Sequence, residues 1–260
     1  MGKRAKVPLT AGVLLLTSLL YLLTGCVLFG IRVSRGMRLA EESSPLSVYS
    51  PFARHTVLVV GDSTGVGTGA LQPTLSIAGL IARDHACVSI ENIADDGALI
   101  NDVSAQLSTI RRNDFHLVLV HAGGNDILRF TTLDEIRQSA EEMLKKAQMK
   151  SGSIIFVSTG NVGNAPAFFW PLNVIYTERT RKVRSIFHDV SRRLGVYYVD
   201  LFQERQEDAF LKDKDRYFAH DYLHPSAQGY ALWYEEIRRQ TPIDEILSCP
   251  GPEPDEPGKD

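Results

Sequence analysis

Between residues 56 and 240 the sequence alternates five short apolar runs with five segments of helical periodicity. The runs are TVLVV (56–60), CVSIENI (87–93), HLVLVHA (116–122), SIIFVST (153–159) and VYYVDLF (196–202). The helical segments lie around 75–84, 98–110, 132–149, 174–194 and 226–240. Strands that are mostly apolar along their length, rather than alternating, are buried on both faces. This pattern predicts an α/β fold: a parallel sheet between two layers of helices. In such sheets, sites form at the carboxyl ends of the strands, so the residues after each strand are where chemistry is expected.

The N-terminus carries a second constraint. No charged residue occurs from Val7 to Ile31, directly after Lys3, Arg4 and Lys6. That run is long enough to cross about 30 Å of hydrocarbon as a helix, and it lacks the polar face of a soluble core helix. Residues 1–31 are therefore expected to be a transmembrane anchor or a lipoprotein signal. Leu23-Thr24-Gly25-Cys26 resembles a lipobox, although the apolar run continues past Cys26 through Phe29. A cleaved secretory signal is the third reading. Arg32, Arg35 and Arg38 balance the basic start, so charge asymmetry does not orient the segment. The expected location is membrane-anchored, with the following domain periplasmic or extracellular. Residues 32–53 are polar, contain two prolines and show no clear period; they read as a linking stalk. The domain is expected over 54–248. Residues 249–260, rich in Pro and acidic groups, read as a disordered tail.

Charge and cysteine content exclude several classes. With 28 Lys+Arg against 31 Asp+Glu, the net charge of −3 argues against a nucleic-acid partner. Three cysteines do not make a disulfide scaffold or a C-x-x-C zinc site. Cys87 and Cys249 could pair in an exported domain, or Cys87 could be a packed thiol; the sequence leaves both open.

Four of the five strands are followed by groups that acyl transfer needs: Gly61-Asp62-Ser63 after the first, Asp95-Asp96-Gly97 after the second and Gly123-Gly124-Asn125-Asp126 after the third. Beyond the fifth comes Asp221-Tyr222-Leu223-His224-Pro225. A serine hydroxyl needs a base to become a nucleophile, and an imidazole titrates in the useful range. Ser63 and His224 fit those roles. Asp221, three residues earlier, is placed to fix the imidazole tautomer. The backbone N–H groups of Ser63 and Gly97 and the Asn125 amide are candidate oxyanion donors. The glycine before Asn125 would permit a tight turn.

These four blocks, in this order, resemble those of the SGNH/GDSL hydrolases across residues 55–240. The resemblance implies a flavodoxin-like sheet, a serine esterase or acyl-hydrolase activity and no cofactor. Ser63 would be nucleophile and first oxyanion donor, Gly97 and Asn125 the other donors, His224 the base and Asp221 its orienting partner. A small-molecule, lipid or cell-envelope ester is the implied substrate, and an O-acyltransferase using the same site or a non-catalytic envelope-binding module are the alternatives. The first block reads GDSTGVGTG rather than GDSL. The second has Ile93-Ala94 where the family has a further glycine, a departure that bears on Gly97.

Other features have plainer readings. Gly65-Val66-Gly67-Thr68-Gly69-Ala70 fits a dinucleotide fingerprint, but Gly61-Asp62-Ser63-Thr64 intervenes after the strand and Pro73 interrupts the expected helix. These glycines are expected instead to keep the loop close to substrate. His220, Asp221 and His224 as metal ligands would need partners from elsewhere. Asp62 and Asp126 read as turn or packing residues. His55, His85, His116, His121, His188 and His220 read as structural or solvent-facing. Phe168, Phe169, Trp170 and Leu172 form an apolar set expected to border an acyl site, face a membrane or pack on the core.

Overall fold

The computed structural model describes residues 9–249. It opens with a 34-residue helix, α1 (Leu9–Glu42). The first strand, β1 (His55–Gly61), leads into the one-turn α2 (Ser63–Val66) and then α3 (Ile77–Asp84). Next come β2 (Val88–Asn92), α4 (Ile100–Thr109), β3 (Leu117–His121), the short α5 (Gly124–Leu128) and α6 (Leu133–Gln148). β4 (Ile154–Val157), α7 (Leu172–Leu194) and β5 (Tyr197–Val199) complete the sheet. The short α8 (Ala209–Lys212) and α9 (Lys214–Tyr217) precede α10 (Ala227–Gln240) and α11 (Ile243–Ile246).

The five strands run parallel in the order β2-β1-β3-β4-β5. Val57 pairs with Leu117 and Val118 with Ile154, which stacks the most apolar strands at the centre. Residues 57–60, 117–120 and 154–157 are all buried, as both-face coverage requires. α3 and α10 pack together, while α4, α6 and α7 pack in succession, touching β1, β4 and β5 respectively. This is the three-layer α/β fold expected from the alternation, and all five strands and the five long helices fall where the sequence pattern put them. The strand order reverses between β1 and β3, so a crevice opens at their carboxyl ends.

The stalk reading of residues 32–53 requires correction. α1 runs unbroken through Arg32, Arg35, Arg38 and Glu41 to Glu42. Arg and Glu are good helix formers, so the change from apolar to charged composition does not end the helix. Pro45 follows three residues later. Beyond it, Val48 exchanges backbone hydrogen bonds with Ile90 at 2.8 and 2.7 Å, pinning the segment to the outer edge of β2.

The apolar part of α1 is long enough to cross a membrane and exposes Leu14, Leu15, Leu16, Leu19 and Leu20. One face is nevertheless engaged: Tyr21 stands edge-on to Phe169 and Phe29 packs on Phe168. Cys87 and Cys249 form a disulfide that ties the end of the described chain to the start of β2. The tail expected over 249–260 lies outside the described residues apart from Cys249.

Candidate active site

β1 ends at Gly61, whose φ of +152° and close approach to the His121 carbonyl leave no room for a side chain. Asp62 then caps α2, accepting from Thr64 N (2.9 Å) and Thr64 Oγ1 (2.7 Å). Because Asp62 takes the capping role, the Ser63 hydroxyl is free for another partner, and it sits 3.0 Å from His224 Nε2. The other ring nitrogen, Nδ1, lies 2.5 Å from Asp221 Oδ2. Two residues 161 positions apart are thus joined through one imidazole, with a carboxylate behind it.

The 219–225 loop is built to hold that carboxylate. Tyr222 turns the chain with a φ of +58°. Asp221 Oδ1 accepts from the backbone N–H of Leu223 (3.0 Å) and His224 (3.1 Å). The Asp221 side chain is 1% exposed. Burial alone would raise its pKa, but the hydrogen bonds from the His224 ring and from the two amides outweigh it and hold the carboxyl below its ordinary value. Asp221 therefore stays ionised beside the imidazole.

A cavity of about 330 Å³ opens beside these groups. Ser63, Gly97, Asn125 and His224 all line it, so the structure brings the candidate oxyanion donors to the same space as the hydroxyl and the imidazole. Gly97 has a φ of +76°. Arg129 Nη2 donates to its carbonyl (3.0 Å) and Asn125 Nδ2 donates to the neighbouring Ala98 carbonyl (3.1 Å). Those two bonds turn the loop's carbonyls towards Arg129 and Asn125. Asn125 keeps a second amide hydrogen.

Several details differ from the sequence reading. The tight turn before Asn125 rests on Gly123, with a φ of +108° and the Phe187 ring 2.5 Å from where a Cβ would stand, rather than on Gly124. The glycines after Ser63 are not among the described residues that line the cavity. Gly67 packs on Ser76, and Gly69 packs on the Pro225 carbonyl and the His224 Cβ. Phe168, Phe169, Trp170 and Leu172 are not among the described residues that line the cavity. Phe168 is in the core, Phe169 lies against Gly25 of α1 and Trp170 is exposed. Asp126 stays out of the cavity and accepts from Ile100 N (3.0 Å).

Asp62 and Asp96 both line the cavity, and no sequence feature marked their carboxyls as perturbed. Burial raises the Asp62 carboxyl to about 6, against the two bonds from Thr64. Burial also raises Asp96, which accepts from Thr68 Oγ1 at 2.7 Å. Gly36, Met37 and Ala40 of α1 line the cavity too; nothing in the sequence signalled that a membrane-type helix would reach the site. His55, His85, His188 and His220 lie away from the cavity lining, as do His116 and His121.

Comparison with known proteins bears on this geometry. Residues 59–232 match the model of the GDSL-like Lipase/Acylhydrolase family. No curated protein matches the chain. Among solved structures, a member of the lipolytic protein G-D-S-L family from Veillonella parvula is 16% identical, with a TM-score of 0.55 over 71% of this chain and 97% of that one. TesA is 20% identical, with a TM-score of 0.57 over 74% and 99%. The acetylxylan esterase Axe2 from Geobacillus stearothermophilus is 16% identical, with a TM-score of 0.52 over 76% and 96%. The matched segment runs from within β1 to within α10 and includes the loops that carry Ser63, Asn125 and His224. The chain belongs to the GDSL-like lipase/acylhydrolase family and is an SGNH-type esterase.

Proposed function

We propose that this protein is a membrane-tethered serine hydrolase that cleaves carboxylic esters through an acyl-enzyme. The observation that carries the reading is the hydrogen-bonded series from Ser63 Oγ through the His224 ring to the buried Asp221, opening on a cavity.

In this reading Ser63 Oγ attacks the ester carbonyl as His224 Nε2 takes its proton. Asp221, held ionised, keeps the proton on Nδ1 and stabilises the imidazolium that forms. Negative charge gathers on the former carbonyl oxygen, facing the Ser63 and Gly97 N–H groups and the Asn125 amide. Each such donor is worth about 10²–10³ in kcat. His224 returns its proton to the leaving alcohol. A water molecule, deprotonated by His224, then attacks the acyl-Ser63 carbonyl and releases the acid.

The tether is α1. Its unbroken course through Gly25 and Cys26 and its packing on Phe168 and Phe169 support an uncleaved anchor over a lipoprotein signal. The Cys87–Cys249 disulfide supports a domain on the oxidising, non-cytoplasmic side. A cell-envelope or lipid ester suits that location.

The test is turnover of p-nitrophenyl acetate by the full-length protein in detergent. Ser63→Ala is expected to lower kcat/KM at least 10³-fold with the melting temperature retained, and a fluorophosphonate adduct is expected at Ser63. Wild-type rates in the variant would reject the reading.

A further inference from the structure

The family match begins at residue 59, after α1 has ended. Yet α1 contributes Gly36, Met37 and Ala40 to the lining of the cavity that holds Ser63 and His224. The helix reaches the cavity along a single seam. Tyr21, Gly25, Phe29, Arg32, Gly36 and Ala40 follow one another at intervals of four or three residues, which places them on one face. The two loops under that seam are the aromatic 165–171 loop and the loop bearing Asp221.

The contacts are specific. Tyr21 Oη donates to the Trp170 carbonyl (3.2 Å), and Phe169 fills the space a side chain at Gly25 would need. The Arg32 guanidinium donates to the Pro166 carbonyl and lies 5.3 Å above the Tyr222 ring. Arg35 donates to the His220 carbonyl (3.2 Å). Gly36 faces Asp221 Oδ2 so closely that a Cβ there would stand 3.1 Å from it. Directly after Gly36, Met37 is 63% exposed yet lines the cavity, which sets it at the rim. A methionine at that point is an adaptable apolar contact.

The helix also fixes where the rim lies relative to a bilayer. Spanning the hydrocarbon takes roughly 20 residues, and the uncharged run closes at Ile31, directly before Arg32, which puts the far edge of the hydrocarbon there. Phe169 and the exposed Trp170, beside Tyr21 and Gly25, then stand at lipid depth. Met37 follows six residues after Ile31, about 9 Å along the helix axis, at the outer side of the headgroup layer. A long-chain ester raised through the headgroup layer would meet the cavity there, with its apolar chain still running along α1.

We propose that α1 is part of the acyl-binding site, with Met37 and Ala40 setting which acyl chains the enzyme accepts, and that the substrate is a long-chain ester resident in the membrane. The inference rests on the hydrolase reading above. Its test is the ratio of kcat/KM for p-nitrophenyl laurate to that for p-nitrophenyl acetate, measured on full-length protein in detergent micelles. Met37→Trp, which narrows the rim, is expected to lower that ratio tenfold or more. Ala40→Phe is expected to lower it at least threefold and provides the same reading if the first variant folds poorly. Ratios within threefold of wild type in the folded variants would overturn the proposal. Acetate turnover that survives Ser63→Ala would overturn the hydrolase reading instead, and this inference with it.

Discussion

Two imidazoles sit near the carboxyl-terminal edge of the sheet and differ in almost everything else. His224 engages both ring nitrogens, one with Ser63 and one with Asp221. His121, at the end of β3, is 1% exposed and neither of its nitrogens finds a partner among the described residues. Burial pushes the His121 pKa down to about 3, so the ring stays neutral and inert. What His121 supplies is its backbone: its carbonyl accepts from Asp62 N (2.9 Å) and shapes the approach to Ser63. In the proposed mechanism an imidazole near the site becomes a base through its partners. Proximity and burial alone turn it into filler.

The sharpest way to break the comparison is to remove the engaged ring. His224→Ala is expected to lower kcat/KM for p-nitrophenyl acetate by about 10⁶, the scale seen when the base of a serine hydrolase is lost. A loss of less than tenfold would show that the two histidines are not functionally different. Removing only the orienting charge, with Asp221→Asn, is expected to cost up to about 10⁴ in kcat, because the ring is left free to take the wrong tautomer. The measurement is a kcat–pH profile beside wild type, and an unchanged profile would remove Asp221 from the scheme.

His121→Leu tests the other member of the pair. It is expected to leave activity within a few-fold of wild type while changing how stability depends on pH. The folded His121 pKa lies below the unfolded value of about 6.5, so the unfolded state binds more protons between them. Stability is therefore lost as pH falls below 6.5, by about 2 kcal/mol at pH 5. Asp62 acts in the opposite sense: its folded pKa is raised to about 6, so acid stabilises the fold over the same window. The difference between wild type and His121→Leu, each unfolded in denaturant at pH 7 and pH 5, isolates the histidine. A difference that does not change with pH would contradict the buried, unpartnered state.

The sequence made one of these histidines legible and not the other. Asp221-x-x-His224 stands at a recognisable spacing, after the last strand and in order with Ser63 and Asn125. Those blocks lie where a parallel sheet puts its chemistry, and the period-based reading of strands and helices was enough to locate them. Nothing in HLVLVHA distinguishes a buried, unpartnered His121 from a surface one. The seam on α1 was hidden for a related reason. Over the part of α1 that is apolar all round, a contact face made of Tyr21, Gly25 and Phe29 leaves no periodic signal. The roles of Gly67 and Gly69 depend on Ser76 and Pro225, partners that only the folded chain brings near. The Cys87–Cys249 pairing likewise depends on which edge of the sheet the chain end reaches.

Gly69 has the widest consequence of these close approaches. At a φ of +96°, with the Pro225 carbonyl 2.5 Å and the His224 Cβ 3.2 Å from where its own Cβ would be, it lets two distant stretches of backbone touch. The spacing of the Ser63 hydroxyl and the His224 ring is thereby gauged at a point outside the cavity lining. Any bulkier residue there acts as a shim, prising the ring off the hydroxyl while the sheet beneath stays intact. Such a protein would keep its shape and lose its chemistry, and inspection of the cavity walls alone would give no reason why.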